Sequence, residues 1–252
     1  MSKKELWMMH MSMQQWNDAA AWDDYLRAVE SILGDRLVKL DANDPIRRKA
    51  DTTQGEGEFI TQFKPKEDSR WLWGKFEKTK VEVQIQHYKN STDSFGRLRD
   101  NSITFYVSER MTFGPDVRRV LELFRFTNER LGAFYALADF QSVISATKPS
   151  TGGSLDISRE LLGVFWLTYF GRHYCDFFGR ERLGSLEQAS AAPADGITLQ
   201  LAETPGQIPE GQRLTLEKRL GAESFAGTGD QKTKGQYALT LEQLSSAKNL
   251  RV

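Results

Sequence analysis

Chemistry in this chain would have to come from its histidines, its cysteine or its closely spaced carboxylates. The three histidines, His10, His87 and His173, are widely separated. A helical zinc protease needs two histidines four residues apart with a carboxylate between them, and no pair here meets that spacing. His173 and Cys175 are two residues apart, so on a helix they face different ways. They read as a partly buried imidazole and a buried thiol rather than as a metal or nucleophile pair. The run Gly227-Thr228-Gly229-Asp230-Gln231-Lys232-Thr233 lacks the four residues that separate Gly from Gly-Lys in a phosphate loop, and no strand is predicted before it. There is no Gly-x-Ser-x-Gly elbow. Glu82 is followed by Val83 and Gln84 where a restriction-type Asp…Glu-x-Lys set needs its lysine. These spacings predict no catalytic set, no cofactor and no bound metal.

Carboxylate pairs occur at Asp23/Asp24, Asp41/Asp44 and Glu56/Glu58. A catalytic pair needs a cleft that raises one of its pKa values. Asp23 and Asp24 fall on the polar side of a predicted surface helix and read as solvated. Glu56 and Glu58 flank Gly57 at a predicted loop–strand junction, either simply solvated or placed to meet a cationic partner. Arg172, Arg180, Glu181 and Arg182 cluster around Gly171 and Gly179. They suit either recognition of carboxylates or internal ion pairing that fixes a turn. Trp71 and Trp73 share one face of a predicted strand. They are core if that face is buried, as burial statistics favour, and an interface anchor if it is open.

The elements that must position these groups show in the hydrophobic patterning. Trp22, Tyr25, Leu26, Val29, Ile32 and Leu33 recur at helical spacing and predict a helix over 18–33, with Asn17 or Asp18 as cap and Gly34 as stop. Residues 41–57 are polar and read as a loop. Strands are predicted at Phe59–Phe63, after which Lys64-Pro65-Lys66 turns the chain, and at Arg70–Phe76. Period-two alternation predicts two more, through Val81, Val83, Ile85 and His87 and through Ile103, Phe105 and Val107. The polar stretch 91–101 joins those two as a long hairpin loop. A second helix starts near Pro115, with Val117, Val120, Leu121, Phe124 and Leu131 on its apolar face and Gly132 at its end. Phe134–Phe140 reads as a strand and 147–154 as a loop. Leu161–Phe170 is a buried strand or, failing that, a helix. Arg172–Phe178 reads as a short helical turn, and Ile197, Leu199 and Leu201 alternate again. Arg213–Phe225 fits either helix or strand, and 226–236 reads as a flexible segment. Irregular interleaving of this kind predicts a single α+β domain over 1–252, an antiparallel or mixed sheet with packed helices. Its core is expected to hold Leu26, Val29, Val83, Ile85, Phe105, Val120, Phe124, Phe165 and Leu167.

Composition narrows the function classes. Of the 252 residues, 34 are Lys or Arg and 34 are Asp or Glu, for a formal net charge of zero. A duplex-binding domain carries a positive excess to replace phosphate counterions, so nucleic acid is not the expected partner. One cysteine rules out an internal disulfide and fits a reducing compartment. Residues 1–13 do not read as a signal peptide. The longest apolar stretch, Leu161–Leu167, is far short of the ~20 residues that span a bilayer. A cytoplasmic protein with no membrane partner is expected.

From Leu161 the chain reads Leu-Leu-Gly-Val-Phe-Trp-Leu-Thr-Tyr-Phe-Gly-Arg-His-Tyr-Cys-Asp-Phe-Phe-Gly-Arg-Glu-Arg-Leu. This Trp-ended strand, with Phe-Gly-x-x-Tyr, Phe-Phe-Gly-Arg, a polar stretch and the Ile197 strand after it, resembles a family of bacterial immunity proteins. That family is paired with restriction-endonuclease-like nuclease toxins, including type VI secretion effectors. The similarity runs from about Gly114 to Phe225 and takes in the helix after Pro115 and the Leu199–Pro205 segment. The resemblance implies a non-enzymatic protein that binds a cognate nuclease toxin and abolishes its activity inside the producing cell. Zero net charge departs from the acidity of an inhibitor that mimics phosphate, so blocking toxin assembly or covering its entrance suits this chain as well as substrate mimicry. The residues expected to meet the partner are Glu56, Glu58, Asp93 and Asp100 on loops and Trp71 and Trp73 on a strand. The competing readings are an enzyme with a metal-independent Asp, Glu and Arg site, and a nucleic-acid-binding module using Arg and exposed Trp.

Overall fold

Nine strands among the described residues form one sheet. In the computed structural model, which describes residues 5–12, 14, 16–50, 55–62, 69–88, 100–147 and 161–225, the strands are β1 (Glu5–Ser12), β2 (Leu37–Asp41), β3 (Ser69–Phe76), β4 (Glu82–Tyr88), β5 (Asn101–Ser108), β6 (Tyr135–Phe140), β7 (Leu167–Phe170), β8 (Ala189–Ala192) and β9 (Gly196–Gln200). Their order is β2-β3-β4-β5-β1-β6-β7-β9-β8, and every neighbouring pair is antiparallel. Seven α-helices are described: α1 (Ala19–Leu33), α2 (Glu56–Gln62), α3 (Asp116–Arg130), α4 (Gln141–Thr147), α5 (Arg172–Phe178), α6 (Arg180–Gly184) and α7 (Gln212–Leu220). The fold is α+β, as the sequence predicts, and all nine expected core residues are buried.

The helices cover opposite halves of the two faces. α1, α2 and α3 lie over β2, β3, β4, β5 and β1, where Leu26, Val29, Val120 and Phe124 meet Leu6, Met8, Leu72, Val83, Ile85 and Phe105. α4 to α7 lie over β6, β7 and β9 on the other face, packing Ile144, Tyr174, Phe178, Leu183 and Leu216 against Tyr135, Leu137, Phe170 and Leu199. α1 is bounded as its sequence indicates. The Asp18 carboxylate accepts from Ala20 N at 2.9 Å, and Gly34 closes the helix at φ +60.

Several elements differ from expectation. β1 is a central strand, paired on both sides by β5 and β6, where no element was predicted. β2, α4 and β8 were likewise unassigned. Of the strand predicted at Phe59–Phe63, the described residues 59–62 belong instead to the helix α2. Gly57 N donates to the Asp23 carboxylate at 2.6 Å, Ile60 is buried against α1, and the five-residue run is too short for period alone to separate the two states. Asp23 is therefore an anchor for α2 rather than a solvated surface charge. Only Leu167–Phe170 of the predicted 161–170 strand enters the sheet. Leu161–Trp166 is buried outside the ladder; Leu161 N donates to the Ser224 carbonyl and the Trp166 carbonyl accepts from Leu201 N, both at 2.9 Å, and side chains satisfy other groups of its backbone. Val164 N donates to Glu217, Phe165 N to Thr168 Oγ1 and Trp166 N to Asp139, at 2.8, 2.8 and 2.9 Å. The ambiguous 213–225 segment resolves as α7, which buries Leu216 and Leu220 four residues apart and leaves Leu214 exposed. The phosphate-loop-like run, the flexible segment expected over 226–236 and most of the 91–101 loop lie outside the described residues.

Candidate functional site

Because the two helical layers are offset, the face of β3, β4 and β5 opposite α1 and α3 carries no helix among the described residues. Strand parity fixes which side chains it bears. The register sets Trp71 and Trp73 of β3 beside Gln86 and Gln84 of β4, these beside Ser102 and Thr104 of β5, and Tyr106 of β5 between Glu82 of β4 and Trp7 of β1. The Trp73 ring leans across β4 to stack on Tyr106, with centroids 6.1 Å apart and planes at 19°. Trp7 meets the same Tyr106 ring edge-on at 5.6 Å and 88°. An aromatic row therefore crosses β3 to β1, with Trp71, 40% exposed, standing beside it. Hydrogen bonds hold the row in place: Tyr106 donates to the Gln84 carbonyl, Gln86 donates to the Tyr88 hydroxyl, and the Trp7 indole N–H donates to Glu5 at 2.9 Å. Burial, with Glu5 and Glu82 nearby, pushes the Tyr106 hydroxyl up to about 12, so it stays a neutral phenol. Burial statistics favoured Trp71 and Trp73 as core. Their face is open, because the second helical layer ends at β1, which α4 touches and where Trp7 and Met9 pack against that layer's core.

The structure does not bring the sequence-derived site residues together. Glu56 and Glu58 open α2 on the α1 side of the sheet, across it from Trp71 and Trp73. Glu56 is 3% exposed, with Arg48 Nη1 4.0 Å from its carboxylate, so it is not the loop carboxylate expected; Glu58 is exposed. Asp100 is half-buried just before β5, and desolvation pushes its carboxyl up to about 6 against the pull of its own backbone N–H. Asp93 lies outside the described residues. Sequence reasoning missed Trp7, Tyr106, Gln84 and Gln86 as site residues. The outward alternation of β4 and β5 was legible, but nothing local told that Trp7 would lie beside it.

Two other clusters gather groups capable of chemistry. Asp139, at the end of β6, is fully buried, and its carboxylate accepts from Phe140 N, Trp166 N and Arg213 Nη2 at 2.8, 2.9 and 2.6 Å. Burial raises its pKa, and Arg213 and the two backbone donors oppose that. Beside it, a cavity of about 370 Å³ is lined by Ser142, Val143, Thr147, Val164, Arg213 and Glu217. With these donors on its carboxylate, Asp139 ties α7 to the sheet. The arginine cluster is internal on one side: Asp176 lies 4.0 Å from Arg172 and 3.8 Å from Arg180, and Arg182 donates to the Arg219 carbonyl. Cys175 is buried, which pushes its thiol up to about 11, and His173 is half-buried. Among the described residues no group of three His, Cys, Asp or Glu is placed to hold a metal ion. No helix among them is long and apolar enough to cross a membrane.

No protein-family profile matches the chain, and no curated protein sequence matches it. Among solved structures, it is similar to one described as Pseudomonas aeruginosa T6SS protein PA0821, with a TM-score of 0.58 and 15% identity over 96% of this chain and 83% of that one. At that identity the likeness is one of fold.

Proposed function

We propose that this chain works by binding another protein rather than by catalysis, and that it is an immunity protein neutralising a cognate secreted nuclease toxin in the cytoplasm of the producing cell. The observation that carries the binding reading is the open aromatic row of Trp73, Tyr106 and Trp7 with Trp71 beside it. Trp and Tyr on a rigid surface are the residues that dominate interface energetics, because they bury large area at small entropic cost. A sheet held by strands on both sides needs little ordering on binding, which lowers the cost of association. The nuclease partner rests on the resemblance from Gly114 to Phe225, and a neighbour in fold described as a T6SS protein is compatible with it.

An escaped nuclease damages its host, so such a pair must be tight; nanomolar affinity corresponds to about −12 kcal/mol. The test is to co-express the chain with its cognate nuclease toxin. Restored growth and co-purification of the two are expected. A toxin that kills as fast with the chain as without it, and does not co-purify, removes the immunity reading.

A further inference from the structure

We infer that the open face of β3, β4 and β5, edged by Trp7 of β1, takes an uncharged, hydrogen-bonding patch of the toxin, not the cationic groove with which a nuclease holds phosphate. This rests on the reading that the chain binds a nuclease toxin. The argument is charge complementarity. The charged side chains that strand parity places on this face are Lys39, Asp41, Lys75, Glu82 and Glu5, two cationic and three anionic, and the buried Asp41 carboxylate already accepts from Asn43 and from the backbone N–H groups of Arg47 and Arg48. Each has a partner within the chain: Lys75 is paired with Glu82, Glu5 accepts from the Trp7 indole, and Lys39 Nζ is 3.4 Å from the Ile46 carbonyl. What remains is aromatic and amide: Trp7, Trp71, Trp73 and Tyr106 with Gln84 and Gln86.

A groove of lysines and arginines laid on this surface would lose its hydration and find Glu82 already paired with Lys75 and Asp41 buried, with Glu5 the one remaining carboxylate of the face to meet it, which costs more than it returns. An uncharged patch meets the aromatic row by packing and the Gln84 and Gln86 amides by hydrogen bonds. Charge depletion around aromatics is also the composition of an interface core. Strand spacing makes the row about 14 Å across, the size of a hot-spot centre within an interface of about 800 Å² per partner. The toxin is thus held away from its phosphate-binding groove.

The experiment uses the full chain and the toxin domain of its cognate nuclease, inactivated by substitution. Binding is measured by calorimetry from 50 to 500 mM NaCl, alone and with a short DNA duplex in excess. The dissociation constant is expected to stay within about threefold across that range, because exposed charge pairs would be screened and packing is not. The duplex is expected not to displace the chain. Trp71→Ala and Trp73→Ala are expected to weaken binding at least thirtyfold, the scale of a hot-spot loss, whereas Glu58→Ala, on the far side of the sheet, leaves it unchanged. Trp71 is exposed enough that its variant keeps the fold even where Trp73→Ala does not, as circular dichroism would report. A tenfold or greater loss of affinity with salt, displacement by the duplex, or tryptophan variants that bind like wild type would each overturn the inference while leaving the immunity reading intact. So would oligothymidylate binding, or a dimer of this chain that Trp71→Ala breaks. Absence of any complex with the wild-type chain overturns the proposed function itself and this inference with it.

Discussion

His10 lies on β1 between Phe105 and Phe124, with its Nδ1 2.7 Å from Asn128 Oδ1. Burial lowers its pKa to about 4, and the Asn128 bond opposes that only in part. In the unfolded chain the imidazole titrates near 6.5. The folded value is the lower one, so the unfolded chain binds the proton first. The stabilisation is therefore complete above pH 6.5 and lost as pH falls from there through 4, by about 3 kcal/mol for this residue. Urea unfolding between pH 7.5 and 4.5 should show that decline, and His10→Gln should flatten it. Burial lowers His87 as well, while it raises Asp139 and Glu217, which works in the opposite sense. The difference between wild type and variant isolates His10. Arg213 offers a second test. Replacing it by Met leaves the fully buried Asp139 carboxylate without its cation, a change that costs about 3 kcal/mol. Adding Asp139→Asn should recover part of that loss, and a double-mutant cycle would measure the coupling.

α2 is held to α1 by two features at one glycine. Gly57 N reaches Asp23, and a Cβ at position 57 would overlap the Ala19 carbonyl oxygen, a backbone atom that cannot swing away. Gly57→Ala is expected to lift α2 at a cost of about 2 kcal/mol, which for a chain of this size lowers the melting temperature by roughly 4–8 °C. This contact also shows why α2 was misread. Its helical state is set by where α1 stands, not by the Phe59–Phe63 run, whose β-rich composition argues for a strand. α1 and α3 were legible because caps and an apolar stripe agree over four turns. β3, β4 and β5 were legible because one face is buried and the other is not. β1 failed for the converse reason. Leu6, Trp7, Met8 and Met9 are apolar on both parities because the strand is central, and the alternation that marks a half-buried strand is absent. Trp71 and Trp73 could be set on one face from sequence. Whether that face was open depended on where α4 to α7 end, which no local pattern carries.

At the scale of the whole molecule, 34 cationic and 34 anionic side chains cancel, and on the open face Lys75 is paired with Glu82 while Glu5, Lys39 and Asp41 are each hydrogen-bonded within the chain. Attraction at long range needs an excess of one sign that the partner's field can act on. Without it, encounter runs at the unsteered rate of about 10⁵–10⁶ M⁻¹s⁻¹. A nanomolar complex formed that slowly must come apart at about 10⁻⁴–10⁻³ s⁻¹, a half-life of roughly ten minutes to two hours, since the dissociation constant is the ratio of the two rates. On the proposed reading, tightness then comes from the packed row of Trp73, Tyr106 and Trp7 staying seated, not from rapid recapture. Biosensor traces with the immobilised chain should show an association rate that changes little from 50 to 500 mM NaCl and a dissociation phase lasting many minutes. Trp73→Ala should shorten that phase and leave association almost untouched. An association rate near 10⁸ M⁻¹s⁻¹ that falls steeply with salt would instead place the binding energy in charges, and the aromatic face would not be what holds the partner.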